Sequence, residues 1–236
     1  MTGTEHPTEP PRDTRTRGPR GLRLVPALLA LTAMSGLIDA VTYLGLGHVF
    51  TANMTGNVVV LGFAAAGAPG FSVPHTATSL ACFLTGAAVG GRVTRRVGEG
   101  SRRTLARVML ATEALLLAAA AAVAGATRDD ARATVYTIIV LTAFAMGLRN
   151  ATVRKLAVRG LTTTTVVTMT LTGLAADSWV GDGTRGRSPR RTAAVVAMFC
   201  GAVLGAALVL HHDLSVPLLL AAATPAVLAF AVSGED

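Results

Sequence analysis

Apolar residues run along this chain in long blocks, separated by short stretches that carry arginine, glycine and proline. Eight blocks stand out, at roughly 24–46, 50–67, 74–91, 105–126, 134–152, 162–177, 192–210 and 214–232. A helix that crosses a bilayer needs about 20 mostly apolar residues, because the hydrocarbon is roughly 30 Å thick and each residue rises about 1.5 Å. Most of the blocks meet that length. The second and sixth differ: they are short and begin in Thr, Asn and Gly, with no long uninterrupted apolar stretch. The pattern predicts an all-α protein, a polytopic membrane helical bundle.

Charge decides how the blocks lie. Of 21 Lys and Arg, five fall before the first block, six between Arg92 and Arg107, four between Arg149 and Arg159, and four between Arg185 and Arg191. The other two, Arg128 and Arg132, flank Asp129 and Asp130. If the second and sixth blocks enter the membrane and return on the same side, nineteen basic residues face the cytoplasm, as the positive-inside rule favours. If the second block crossed, the six-arginine loop would lie opposite the five-arginine tail. The expectation is therefore six spans plus two re-entrant half-helices, with both termini cytoplasmic. Residues 1–21, polar and rich in Pro and Arg, read as a disordered cytoplasmic tail.

An internal repeat points the same way. Gly36-Leu37-Ile38-Asp39-Ala40 matches Gly147-Leu148-Arg149-Asn150-Ala151. Thr51-Ala52-Asn53-Met54-Thr55-Gly56-Asn57 answers, in hydroxyl-rich character, to Thr164-Thr165-Val166-Val167-Thr168-Met169-Thr170. Gly86-Ala87-Ala88-Val89-Gly90 matches Gly201-Ala202-Val203-Leu204-Gly205. The copies, 22–126 and 133–232, each hold a span, a half-helix and two further spans. Three crossings is an odd number, so the second copy is expected to be inverted relative to the first, an arrangement that recurs in transporters.

Composition narrows the function. Half of the residues are apolar and only 14% are charged, against about a quarter in soluble domains. The net charge of +8 sits between apolar blocks, and aromatics are only 4%, so a nucleic-acid reading fails. Cys82 and Cys200 lie inside apolar blocks, which argues against a disulfide framework or a zinc site. His48, His75, His211 and His212 scatter over three outer loops and read as exposed residues, not a metal cluster. No enzyme signature, cofactor fingerprint or metal motif is present in the sequence.

The run Ser35-Gly36-Leu37-Ile38-Asp39-Ala40, followed by Phe50-Thr51-Ala52-Asn53-Met54-Thr55-Gly56-Asn57 and later by Gly147-Leu148-Arg149-Asn150-Ala151, resembles the YoaK-like family of bacterial integral membrane proteins. The resemblance covers nearly all of the chain beyond the polar tail. It implies a bacterial inner-membrane protein and carries no mechanism with it. The family pattern has Thr-Gly in the second copy where this chain has Thr168-Met169, so Gly56 has no matching glycine.

Few residues could carry chemistry. Asp39 lies well inside the first span, where a carboxylate must be paired, protonated or facing water. It reads as a proton or cation site, or else as an acceptor for nearby backbone or for Thr42. Asn150, its match in the second copy, keeps the hydrogen bonding without the charge. Glu113, two turns into the fourth block, has Arg149 as a candidate ion-pair partner. The Thr- and Asn-rich starts of the half-helices would cap their own free N–H groups at membrane depth, with Asn53, Thr55, Gly56 and Asn57 facing Thr165, Thr168 and Thr170 across the midplane. The reading that follows is a small transporter or channel for a small polar or ionic solute, with Asp39 and the two polar starts forming its path. The shortness of the chain leaves room for a homodimer in the lipid bilayer. The competing reading is a membrane scaffold that binds a partner and moves nothing.

Overall fold

The computed structural model describes residues 24–97, 102–126, 132–156, 171–172, 175–176 and 188–233. The first tail and nearly all of the sixth block, including Thr165, Thr168 and Thr170, lie outside the described residues. Seven helices are numbered here in chain order: α1 (Leu24–Gly45), α2 (Met54–Ala65), α3 (Val73–Val97), α4 (Arg102–Ala126), α5 (Arg132–Leu156), α6 (Ser188–His211) and α7 (Ser215–Ser233). Among the described residues there is no strand.

Four helices are long and apolar enough to cross a membrane: Pro26–Gly45, Arg103–Ala126, Arg132–Arg154 and Thr192–His211. α3 is equally long but more polar, and three of its hydroxyl side chains turn inward. Thr76, Ser79 and Thr94 are buried, and Thr94 returns its hydroxyl to the Gly90 carbonyl of the preceding turn. The distribution of side chains is the reverse of a water-soluble protein. Leu115, Phe199, Leu210 and Phe230 are about two-thirds exposed or more, whereas Asp39, Glu113 and Arg149 are buried. Large apolar side chains on the outside and charges within suit hydrocarbon as the surrounding solvent.

A core of α1, α4, α5 and α7 holds the molecule together. Leu37, Ile38 and Val41 meet Leu117, Ala120 and Ala121, Ile138, Ile139 and Met146, and Leu218, Ala221 and Ala222. The alanines let α4 and α7 pack closely. α3 and α6 flank this core, α3 lying along α5 and α6 along α1.

Glycine sets both flanking contacts. A side chain at Gly36 would strike the Met198 carbonyl, one at Gly201 the Ala33 carbonyl, and one at Gly205 the Leu37 carbonyl. The α3–α5 pair is built in the same way, with Gly147 against the Phe83 carbonyl, Gly86 against that of Phe144 and Gly90 against that of Leu148. These spaced glycines are therefore occupied inside the chain, where they bring backbones together without a hydrophobic driving force.

Candidate functional site

α1 ends at Gly45 and the chain turns sharply through Gly47 and His48, both with positive φ (82° and 63°). It then doubles back towards the body of α1. Asp39 lies six residues before the helix end, about 9 Å at roughly 1.5 Å per residue. Its Oδ1 accepts hydrogen bonds from the backbone N–H groups of Thr51 (3.1 Å), Ala52 (2.8 Å) and Asn53 (3.3 Å). Three consecutive donors converge on one carboxylate oxygen just before α2 begins. Free N–H groups at a helix start need partners wherever water is excluded.

This corrects the expected capping. Asn53 stands at the N-cap position of α2 but makes no side-chain cap bond. Asp39, reaching across from the preceding helix, instead accepts from the backbone of the loop that leads into α2, as far as the Asn53 N–H. A carboxylate is the stronger acceptor for backbone N–H. Thr42, the alternative neighbour, donates to the Asp39 carbonyl at 3.5 Å rather than to its carboxylate.

Asn57, expected on a solute path, is engaged with the loop before α2. It is fully buried, and its amide clamps the backbone of Phe50: Oδ1 accepts from Phe50 N–H (2.9 Å) and Nδ2 donates to Phe50 C=O (2.6 Å). The same Nδ2 reaches Ser79 Oγ (3.1 Å), and Ser79 donates to the same carbonyl (2.6 Å). The loop is thereby fixed to both α2 and α3. A Cβ at Gly56 would sit 2.7 Å from the Phe50 ring, so glycine is needed for the ring to lie against the helix. Thr55 is exposed. The Thr-Gly-Asn run is thus mainly a device that seats Phe50, a role no local signal in the sequence discloses.

The chain beyond α2 comes back beside the turn that follows α1. His48 Nδ1 lies 3.0 Å from the Gly70 carbonyl, and its ring packs on Phe71, which also meets Phe63. Tyr43 stacks on Phe50 with centroids 4.7 Å apart.

Asp39 Oδ2 is buried and has no hydrogen-bond partner. The residue forms part of a groove of about 430 Å³ between α1 and α6. Gly36, Ala40, Tyr43 and Leu44 line it from α1, Phe50 and Asn53 from the loop, and Met198, Phe199, Ala202, Val203 and Ala206 from α6. Asn150 stands apart from this site. It donates to the Met146 carbonyl in its own helix, and no hydrogen bond joins it to Asp39.

The second buried cluster ties three helices together. Arg149 Nη1 on α5 lies 3.1 Å from Glu113 Oε1 on α4, with side chains 5% and 1% exposed. The two are close enough to pair as ions, although that oxygen is not aligned for a hydrogen bond. The guanidinium also donates to α1, at the Ser35 hydroxyl (2.7 Å) and the Leu31 carbonyl (3.3 Å). Ser35 did not stand out as a partner in the sequence. It meets Arg149 only because the long guanidinium side chain reaches across to α1 in the fold.

Long apolar helices with Asp39, Glu113 and Arg149 buried among them define a multi-pass membrane protein. The chain belongs to the family described as "Protein of unknown function (DUF1275)", which matches residues 27–231. It is also similar to the "UPF0700 transmembrane protein YoaK" of Bacillus subtilis (strain 168), with 37% identity over 153 residues, 64% of each chain. The match therefore spans somewhat less than two-thirds of that relative's length. No solved structure matches the chain.

Proposed function

We propose that this chain is a small bacterial inner-membrane transporter or channel for a small polar or ionic solute, with Asp39 as its ion site. In this reading α1, α3, α4, α5, α6 and α7 cross the membrane and α2 enters and returns. The whole is two inverted repeats, with both termini cytoplasmic. The observation that carries the function is Asp39. One oxygen organises the start of a short helix inside the protein, the other is buried without a partner, and a groove adjoins it. An intramembrane carboxylate of this kind is a functional candidate by default, and half-helix starts line the sites of known inverted-repeat carriers.

Three observations support the topology. α2 has 12 residues, about 18 Å, too short for a roughly 30 Å hydrocarbon layer. His48, before it, meets Gly70, after it, so the segment starts and finishes at one level. The glycine contacts of α1–α6 reappear in α3–α5 at constant offsets. Ala33, Gly36 and Leu37 answer to Phe144, Gly147 and Leu148 at 111 residues, and Phe83, Gly86 and Gly90 to Met198, Gly201 and Gly205 at 115.

The scaffold reading draws on the same residue, because three of Asp39's contacts are structural. Proteoliposomes separate the two. Asparagine can still accept from the loop but carries no charge. Transport predicts that Asp39→Asn reconstitutes as a folded protein with its proton or cation flux lost. Flux that is absent from the wild type, or unaltered in the variant, would favour the scaffold.

A further inference from the structure

We infer that the groove between α1 and α6 binds a monovalent organic ammonium ion, its charge met by Asp39 and its carbon body held by Tyr43, Phe50 and the α6 side chains. The inference deepens, and rests on, the reading of Asp39 as an ion site.

Three observations set the chemistry. First, the buried charged side chains among the described residues are Asp39, Glu113 and Arg149. Arg149 pairs with Glu113 at 3.1 Å, and among the described residues no cationic side chain forms an ion pair with the Asp39 carboxylate. A lone buried charge is costly, and Oδ2 has no partner, so a cation is the complement this region lacks. Second, an anion has nothing to hold. No Lys, Arg or His lines the groove, and the backbone N–H groups of the loop before α2, at Thr51, Ala52 and Asn53, already point at Asp39 Oδ1. Third, a bare metal ion has too few ligands. Calcium takes about six to eight oxygens and magnesium six. The groove offers the polar side chains of Asp39, Asn53 and Tyr43 only, and no group of three or more His, Cys, Asp or Glu gathers among the described residues.

What the groove does offer is carbon and aromatic surface. Met198, Phe199 and Val203 form one wall, and the stacked Tyr43–Phe50 pair stands on the other. Aromatic faces attract quaternary ammonium groups most strongly where water is excluded. A volume of about 430 Å³ falls within the roughly 300–1,000 Å³ of pockets that enclose small organic molecules. Oδ2 itself is covered, so binding includes a rotamer change of Asp39 or of the Phe50 ring, a shift common on ligand binding.

The test is equilibrium binding of benzyltrimethylammonium to the full chain in detergent, with potassium chloride as competitor. The expected result is saturable binding that an equal concentration of potassium does not displace. Asp39→Asn should weaken it about tenfold or more, as a charged acceptor becomes a neutral one. Ala206→Phe fills the groove from α6 without touching the Asp39 hydrogen bonds, and should abolish binding even if Asp39→Asn folds poorly. No saturable binding, displacement by potassium, or binding unchanged in both variants would overturn the inference. Asp39-dependent proton flux without ammonium binding would overturn it too and leave the transport reading standing. Ammonium binding lost in both variants without any flux would support it and remove the transport reading.

Discussion

The α1–α6 and α3–α5 pairs share one packing device, yet a carboxylate stands beside the first and an amide beside the second. Each pair is drawn together by three glycines set against carbonyls of the partner helix. Beside α6, Asp39 gathers three backbone N–H groups and keeps an unpartnered oxygen. At the matching place on α5, Asn150 bonds only within its own helix among the described residues. Packing is common to the two halves and buried negative charge is not. One packing device serves both pairs because small residues fit any close crossing, whereas a buried charge needs its own partner.

The largest expected effect tests a second break in that likeness. Position 149, an arginine paired with Glu113, corresponds to the apolar Ile38 in the first half. Arg149→Ala leaves Glu113 buried without its ion, and should lower stability by about 3–5 kcal/mol in thermal unfolding in detergent. The double change Arg149→Met with Glu113→Gln should recover much of that loss. A harmless single variant would mean the pair holds nothing.

Next come the glycines, which test the likeness itself. Gly36→Val and Gly147→Val each push a side chain into a facing carbonyl, and should destabilise by about 1–3 kcal/mol or more. The two losses should be of similar size, and the double variant should lose their sum to within about 0.5 kcal/mol. A large difference would break the comparison between the helix pairs.

Asn57→Ala should follow, at about 1–3 kcal/mol, because it strips the Phe50 N–H of its buried acceptor. Ser79→Ala should do less, since Asn57 still serves the shared carbonyl. The smallest effect belongs to Asn150→Ala, at about 0.5–1 kcal/mol, because its bond to Met146 duplicates what the helix already provides. Asp39→Ala should clearly exceed it under the same melt, as three donors lose one acceptor. Equal losses would erase the contrast drawn between the two positions.

Much of the helical frame was readable because hydrophobic block length and the arginine clusters are local signals. Seven of the eight blocks coincide with helices, and the sixth lies almost wholly outside the described residues. Glu113 and Arg149 could be matched because they lie at similar depth on successive helices. The fine structure of the site was less legible. Nothing near Asn57 announces Phe50 as its partner, since the two meet only once the chain doubles back and the Phe50 ring settles on Gly56. The Thr and Asn residues before α2 look like caps in isolation. Asn53 makes no cap bond, and Asp39, twelve to fourteen residues earlier, holds the backbone of Thr51, Ala52 and Asn53 instead.

The claim on which the account depends is that the segment from His48 to Gly70 leaves and rejoins the same face of the membrane. The direct measurement is labelling of single cysteines in intact cells by an impermeant thiol reagent, after Cys82 and Cys200 are replaced. His48 and Ala66, both exposed and on either side of α2, take one cysteine each, with Arg96 at the end of α3 as the control. The account predicts labelling of positions 48 and 66 from outside, and of position 96 only after permeabilisation. Labelling of 48 and 66 from opposite sides would make α2 a full crossing and contradict it.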